Sequence, residues 1–404
     1  MSESGPEPDI PIKESPRGGT FSRWLADHII RTRSLRQWVP KSVRRMAARL
    51  LVRGDVQEEL WREVDPCADA EEVSTYPARV DVRLGIVKEP THAHKYYIGA
   101  CRDLGVPYRL VDLSGPDWIR VVQESGCQAF LVRPSAHLTV WKQMFDERLK
   151  VMVEALGQII YPTYEEIWFY ESKRRMNYWL TAHNVPHPRT WIFYSRDHAM
   201  DFGRTVPLPI VAKTDLGSGA SGVRIFRRRP ALMRWVARCF GRGVVVSDPR
   251  DRQWGSVLLQ EYLPDAAEWR VIRLGRSYFA HQKLKEGDFH SGSGKVGWYR
   301  PPDRLLDFAR AMTEKGRFTS MGMDIFETTD GIYLVNELQS LFGSYLPYQM
   351  RVDGKPGRFL YDEATGRWNF EEGVFNQNGS CTLRVEALLA ILGKRLQAAE
   401  KGGA

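Results

Sequence analysis

Between Leu208 and Phe226 the chain reads LPIVAKTDLGSGASGVRIF: an apolar run closing on Lys213, a glycine-rich loop, then a second apolar run. Gly217, Gly219 and Gly222 have the spacing G-x-G-x-x-G, which serves several unrelated nucleotide sites. A dinucleotide-binding turn needs a helix straight after its glycines, with the N-terminus aimed at the pyrophosphate. Here Val223-Arg224-Ile225-Phe226 is β-like instead, so the loop is expected at the tip of a hairpin. Glycines lacking a Cβ let backbone approach phosphate oxygens, and Lys213 on the incoming strand adds positive charge. The pattern predicts a flap laid over a triphosphate.

Other nucleotide signatures fail on their context. Gly294-Lys295 resembles the end of a Walker A loop, but Phe289 stands where its first glycine belongs and Val296 offers no metal-binding hydroxyl. Asp201-Phe202-Gly203 spells a kinase triad, yet it precedes the glycine loop, Lys213 also precedes its glycines, and no H-R-D loop occurs.

On the N-terminal side of the flap, strands and helices alternate. Strands are expected at 82–87, 107–113, 128–132 and 158–161, with helices at 92–104, 117–125 and 140–156. That is a βαβαβ unit with a parallel sheet, whose carboxyl-end loops around His94 and Arg133 suit a substrate. Beyond the flap the expected order is a strand at 256–260, a strand pair at 268–274 and 277–283, and a Gly/Ser loop at 287–297. A helix at 302–314, two strands at 320–327 and 331–338, a hairpin around Ala364-Thr365-Gly366 and a last helix at 383–396 follow. The fold class is therefore α/β (α+β).

The net charge of +9 is local, because residues 17–53 hold ten basic residues and one acid. The rest of the chain is neutral, so nucleic acid is not an expected partner. Residues 1–19 read as a disordered tail. Residues 20–80 form a basic extension in which Phe21, Trp24, Leu25, His28 and Ile29, and again Val43, Met46, Ala47, Leu50 and Leu51, recur at helical spacing. Two readings of residues 20–53 stand: an anchor for an anionic membrane surface or acidic partner, and a stripe packed on the body or on a second subunit of a homo-oligomer. No apolar run reaches the roughly 18 residues of a membrane span. Five scattered cysteines with no C-x-x-C pair fit reduced thiols, and a cytoplasmic protein is expected, peripheral at the membrane if the anchor reading holds.

Lys173, Lys213, the glycine flap, Gln260-Glu261-Tyr262-Leu263, Glu268 and a late acidic pair of strands stand in an order that resembles the ATP-grasp fold over roughly residues 81–345. Within it the chain looks most like RimK-type carboxylate–amine (glutamate) ligases, on the run Lys285-Glu286-Gly287-Asp288-Phe289-His290-Ser291. The resemblance implies a pre-ATP-grasp domain at 81–165, a glycine-flap subdomain at 166–260 and a metal-site subdomain at 261–404. It also implies ATP with Mg2+ (or Mn2+).

Lys173 and Lys213 would then neutralise the phosphates, Ser218 and Ser221 would donate hydroxyl hydrogen bonds, and 261–263 would pair with the adenine edge. Glu268 would accept from the ribose. Asp324, Glu337 and Gln339 would supply oxygen ligands to the metal. Strand alternation puts Glu337 and Gln339 on one face and Asn336 on the other. Arg270, on the face of Glu268, and Lys283 are candidates for stabilising the transferring phosphoryl group. His94, Lys285, Ser291 and Lys295 are candidate substrate contacts. The chain departs from the family at Gln339, where asparagine is usual, at Gly292-Ser293-Gly294-Lys295, and at the insertion 350–378.

The expected function is an ADP-forming ligase that joins a carboxylate to an amine through an acylphosphate. The alternatives are a phosphotransferase acting on a hydroxyl, and a membrane-associated ATP-binding protein without turnover.

Overall fold

The computed structural model describes residues 71–217, 222–246, 251–288, 290, 295–342 and 346–402. The expected tail and the basic segment 20–53 lie outside the described residues. No helix among the described residues is long and apolar enough to cross a membrane. Cys101, Cys127, Cys239 and Cys381 are free thiols.

The first sheet has the order β2-β1-β3-β4 and is parallel: β1 (Leu84–Val87), β2 (Tyr108–Val111), β3 (Ala129–Leu131) and β4 (Ile160–Tyr161). β1 is buried at all four residues because helices cover both faces, which is why a parallel strand reads as a continuous apolar run. One face packs on α1 (Lys95–Leu104), whose Tyr97 and Ile98 meet Cys381, Val385 and Leu388 of the last helix. On the other face Phe130 packs with Phe145 and Leu149 of α3 (Thr139–Glu154), beyond the short α2 (Trp118–Gln123).

After α4 (Tyr164–Trp168) and α5 (Lys173–Ala182), the second sheet is antiparallel, in the order β5-β10-β6-β7. It comprises β5 (Thr190–Phe193), β6 (Ile210–Lys213), β7 (Val223–Phe226) and β10 (Val257–Glu261). α6 (Arg196–Thr205) and α7 (Arg229–Phe240) cover one face, and β8 (Val244–Val245) and β9 (Arg252–Gln253) make a small ribbon beside it. β6 and β7 pair from Ile210↔Phe226 to Lys213↔Val223, so the glycine loop is the tip of a hairpin, as expected. Gly222 has a specific reason to be glycine: a Cβ there would stand 1.7 Å from Thr214 Oγ1, while Thr214 N–H donates to the Gly222 carbonyl at 3.0 Å.

The largest sheet is antiparallel, in the order β15-β14-β11-β12-β17-β16. Its strands are β11 (Ala267–Leu274), β12 (Ser277–Lys283), β14 (Ser320–Glu327), β15 (Tyr333–Gln339), β16 (Arg351–Val352) and β17 (Lys355–Asp362). β13 (Val296–Gly297) pairs with β12, and β18 (Arg367–Glu372) with β17. The insertion 350–378 thus extends the sheet, with Ser277↔Leu360 and Tyr278↔Phe359 in register. One face holds Val271, Met321, Met323, Ile325, Val335 and Leu338 against α8 (Asp303–Lys315) and α5. The polar face holds Glu268, Arg270, Lys283, Asp324 and Glu337, an arrangement set by the period of two along each strand.

α9 (Cys381–Gly402) closes the chain against the first sheet. A second tie runs through Glu166: Thr163 and Glu166 cap α4 reciprocally, and Glu166 also accepts from the N–H groups of Thr319 and Ser320 at 2.6 Å each. Its carboxylate is fully buried, and burial pushes its pKa up to about 7.

Candidate functional site

The site forms where the polar face of the largest sheet meets the glycine hairpin and the start of α5. Ser172 caps α5 by accepting from the N–H of Arg175, and Asp215 accepts from Ser172 and from the N–H of Arg174. This clamp fixes Lys173, which is 7% exposed and donates to the Gly217 carbonyl at 2.7 Å. Gly217 itself has φ 120°, a region favourable to glycine. Lys213 reaches across from the second sheet and donates to Asn336 Oδ1 at 2.8 Å. Burial, reinforced by Lys173 and Lys283 against the pull of Glu337 and Glu268, lowers the Lys213 pKa to about 8.

Asp324 and Glu337 face each other in the β14–β15 register. Asp324 is 3% exposed and accepts two bonds from Arg270, at 2.8 and 2.9 Å, and one from Lys283 at 2.9 Å. Burial opposes its ionisation, but the two cations outweigh burial and hold its pKa well below the carboxylate range. Glu268, 2% exposed, accepts from Lys283 at 3.0 Å and from Asn336 Nδ2 at 3.2 Å, and burial raises its pKa. Glu337 lies 3.8 Å from Lys173 and accepts from Gln339 at 2.9 Å. Lys173, Lys213, Glu268, Arg270, Lys283, Asp324, Glu337 and Gln339, anticipated from sequence, are therefore gathered in a network of two adjoining groups that meet where Glu337 stands opposite Asp324. Glu171 joins them by accepting from Gln339 at 3.4 Å, so four cations stand against four carboxylates, and a further anion needs a cation to accompany it.

Asn336 corrects the expectation from strand alternation. The register shifts by one residue between Asp324 and Ile325, whose partners are Glu337 and Val335. Asn336 is the extra residue of this β-bulge, and it turns onto the polar face beside Glu337 rather than to the opposite side. There it bridges Lys213 and Glu268. A signal was present in the sequence: Val335 and Leu338, both buried, are three apart where an unbroken strand needs an even spacing.

Gln260 lines a small cleft with Lys173 and Lys213 and donates to Thr190 Oγ1 at 3.1 Å. Glu261 is clamped by Arg189, which bonds its carboxylate at 2.7 and 2.8 Å. The main-chain groups of Tyr262 and Leu263 lie past the strand end, clear of the ladder. Tyr262 donates to Asp288 at 3.1 Å, and Arg227, after β7, pairs with the same carboxylate at 2.7 Å. This clasp, absent from the sequence-based candidates, ties Asp288 to the hairpin.

Three candidates lie outside the network. His94 is buried in the loop after β1, its Nδ1 accepting from the Glu89 N–H at 3.2 Å, and burial with nearby His92 lowers its pKa to about 4. Lys285 is exposed and donates to the Pro264 carbonyl at 2.6 Å. Lys295 is exposed and lies 3.4 Å from Glu286. Ser218, Gly219, Ser221 and Ser291 lie outside the described residues.

For a hard cation the donors fit in kind. An ionised carboxylate offers about four acceptor positions, and Asp324 has three of them in use. The remaining position, Glu337 and the Gln339 amide oxygen form an oxygen donor set. Gln339 now presents its nitrogen to Glu337, so its amide would turn over to ligate. No cluster of three or more His, Cys, Asp or Glu able to hold a metal occurs among the described residues, so ligand oxygens would complete the shell.

No family model and no curated protein matches the chain. Among solved structures it is similar to D-alanine–D-alanine ligase from Bacillus anthracis, at 13% identity, over 78% of this chain and 99% of that one, with TM-score 0.48. It is similar to a RimK-domain ATP-grasp protein from Sphaerobacter thermophilus at 17% identity, over 63% and 90% of the two chains, with TM-score 0.45. N5-carboxyaminoimidazole ribonucleotide synthetase from Thermotoga maritima gives 15% identity over 64% and 68%, with TM-score 0.45. This chain's own residues therefore carry the functional reading.

Proposed function

We propose that the chain is an ATP-dependent, ADP-forming carboxylate–amine ligase. The observation that supports this most is the convergence of Lys173 and Lys213, from separate elements, between a glycine hairpin and a facing pair of carboxylates. Two ammonium groups under a glycine flap suit a polyphosphate, and Lys213, weakly held by its neutral partner Asn336, gains most from an arriving anion. Gln260, Tyr262 and Leu263 would then read the base, and Glu268 would accept from the ribose.

Asp324, Glu337 and Gln339 would hold Mg2+ (or Mn2+), which when bound supplies charge neutralisation to the phosphates. Arg270 and Lys283 flank that position and stabilise negative charge on the transferring phosphoryl group and on the acylphosphate. Attack by an amine then forms the C–N bond as phosphate leaves. No covalent enzyme intermediate is needed, so catalysis rests on positioning and electrostatics.

The test is ATP-dependent phosphate release across amines and small carboxylates, with mass spectrometry of the product. Amine-dependent release with a phosphate-free amide is expected. A phosphorylated product with no free phosphate identifies a phosphotransferase instead. Nucleotide turnover that survives Asp324→Ala overturns the site assignment.

A further inference from the structure

Beside the charged network, on the same face of the largest sheet, lies a cavity of about 130 Å³. Its walls are apolar and largely aromatic: Ile272, Val296, Trp298, Phe342 and Tyr348. Trp298 stands edge-on to Tyr348, with centroids 5.6 Å apart, and tilts over His281 at 5.5 Å. Phe342 is held from two sides. A Cβ on Gly322 would be 3.0 Å from its ring, and the buried Arg384 guanidinium lies 4.7 Å from its centroid. An apolar cavity of ~150 Å³ admits a benzene ring, so this one matches a single phenyl or branched aliphatic group. None of these wall residues has a role in the phosphate or metal chemistry above.

Of the three polar residues in its lining, Gln349 spends its amide nitrogen on Asn376 and Ser380, and the other two mark which end of a ligand faces the network. Arg270 lines the cavity while its Nε and one Nη hold Asp324, so the cavity opens directly beside the proposed reaction centre. His281 sits opposite Arg270 in the β11–β12 register, and its Nδ1 bonds the Gln349 carbonyl at 2.8 Å. A carbonyl only accepts, so Nδ1 carries the proton and Nε2 is left as an acceptor. An acceptor nitrogen welcomes an N–H donor and repels a carboxylate, and the Arg270 charge that would favour an acid is already met by Asp324.

We propose that this cavity binds the amine substrate, and that the amine carries one aromatic or branched aliphatic group. The group fills the space between Trp298, Tyr348 and Phe342, and the amine nitrogen donates to His281 Nε2 at the edge nearest Arg270. The inference rests on the ligase reading and names its acceptor class.

Calorimetric titration of the full chain tests it. ATP with MgCl2 is titrated first, into wild type and Lys213→Ala; then, with a non-hydrolysable ATP analogue and MgCl2 present, phenethylamine, ethylamine and 3-phenylpropionate. Phenethylamine is expected to bind at least tenfold more tightly than ethylamine. Trp298→Ala should lose at least tenfold of that affinity, and Trp298→Phe should recover most of it. If Trp298→Ala fails to fold, Tyr348→Ala serves in its place. Equal binding of the two amines overturns the apolar pocket, and preference for 3-phenylpropionate overturns its assignment to the amine. ATP binding that depends on Lys213 without phenethylamine binding sinks this inference alone, whereas absence of ATP binding sinks the ligase reading and takes the inference with it.

Discussion

Two buried aspartates in this molecule are each held by one lysine and one arginine. Asp146 accepts from Lys142, one helical turn earlier on α3, and from Arg175 on α5. Asp324 accepts from Lys283 and Arg270 on neighbouring strands. The chemistry is the same and the surroundings differ. Lys142 also reaches the Ile167 carbonyl at 3.4 Å, and Arg175 bonds the Trp168 carbonyl at 2.8 Å while lying over the Trp168 ring. That triad is closed. Around Asp324, Lys283 is shared with a second carboxylate, Glu268, and Arg270 faces a cavity. The lysines record the contrast: burial wins at Lys142 and lowers its pKa, while Asp324 and Glu268 outweigh burial at Lys283 and raise it. A triad with spare carboxylates and open space can exchange partners with a ligand, whereas a saturated one can only hold its elements together.

The contrast breaks most visibly in paired substitutions. Asp324→Asn is expected to cut ATP turnover by about a hundredfold or more, the scale of losing one preorganised electrostatic group. Its stability loss should be small, because Lys283 keeps Glu268 and Arg270, 31% exposed, can turn to water in the cavity; steady-state phosphate release and urea unfolding read the two effects. Asp146→Asn should do the reverse, costing about 3–5 kcal/mol of stability by stranding a buried cation while turnover per folded molecule is unchanged. Equal stability losses at the two sites would end the distinction.

Lys213→Ala should weaken ATP binding by about tenfold, on the scale of one charge-assisted hydrogen bond. In the wild type, protonated Lys213 binds the polyphosphate better, and the free protein loses that proton near pH 8. Affinity should therefore fall as pH rises through 8 by up to about tenfold per pH unit, and calorimetry of Lys213→Ala should show no such dependence. Smallest of all, Lys285→Ala should shift stability by no more than about 0.5 kcal/mol. A larger loss would place that lysine inside the network after all.

The sequence disclosed what is local. The hairpin followed from β-like residues after the glycines, the parallel sheet from the alternation of strand and helix patterns, and the opposition of Asp324 and Glu337 from two strands with a short turn. What it hid depends on contacts across long separations. The bidentate hold of Arg270 on Asp324 spans 54 positions, and the clasp of Tyr262 on Asp288 spans 26. Asn336 was misplaced because strict alternation fails at a bulge. Glu166 was legible only in part: Thr163-x-x-Glu166 is a capping-box spacing, but its tie to the backbone N–H groups of Thr319 and Ser320 carries no residue signature.

The bulge at Asn336 also sets how this site can be lost. Point substitutions around it would weaken one contact at a time. Deleting codon 336 would restore an even strand in which Val335 and Leu338 keep the core and Glu337 and Gln339 still face Asp324, but the amide that joins Lys213 to Glu268 would be gone. The acidic pair thus survives the loss of one residue, and what goes is the link between the hairpin lysine and the large sheet. Laboratory evolution that permits in-frame deletions should find this position tolerant when selection is for folding and intolerant when it is for ATP binding.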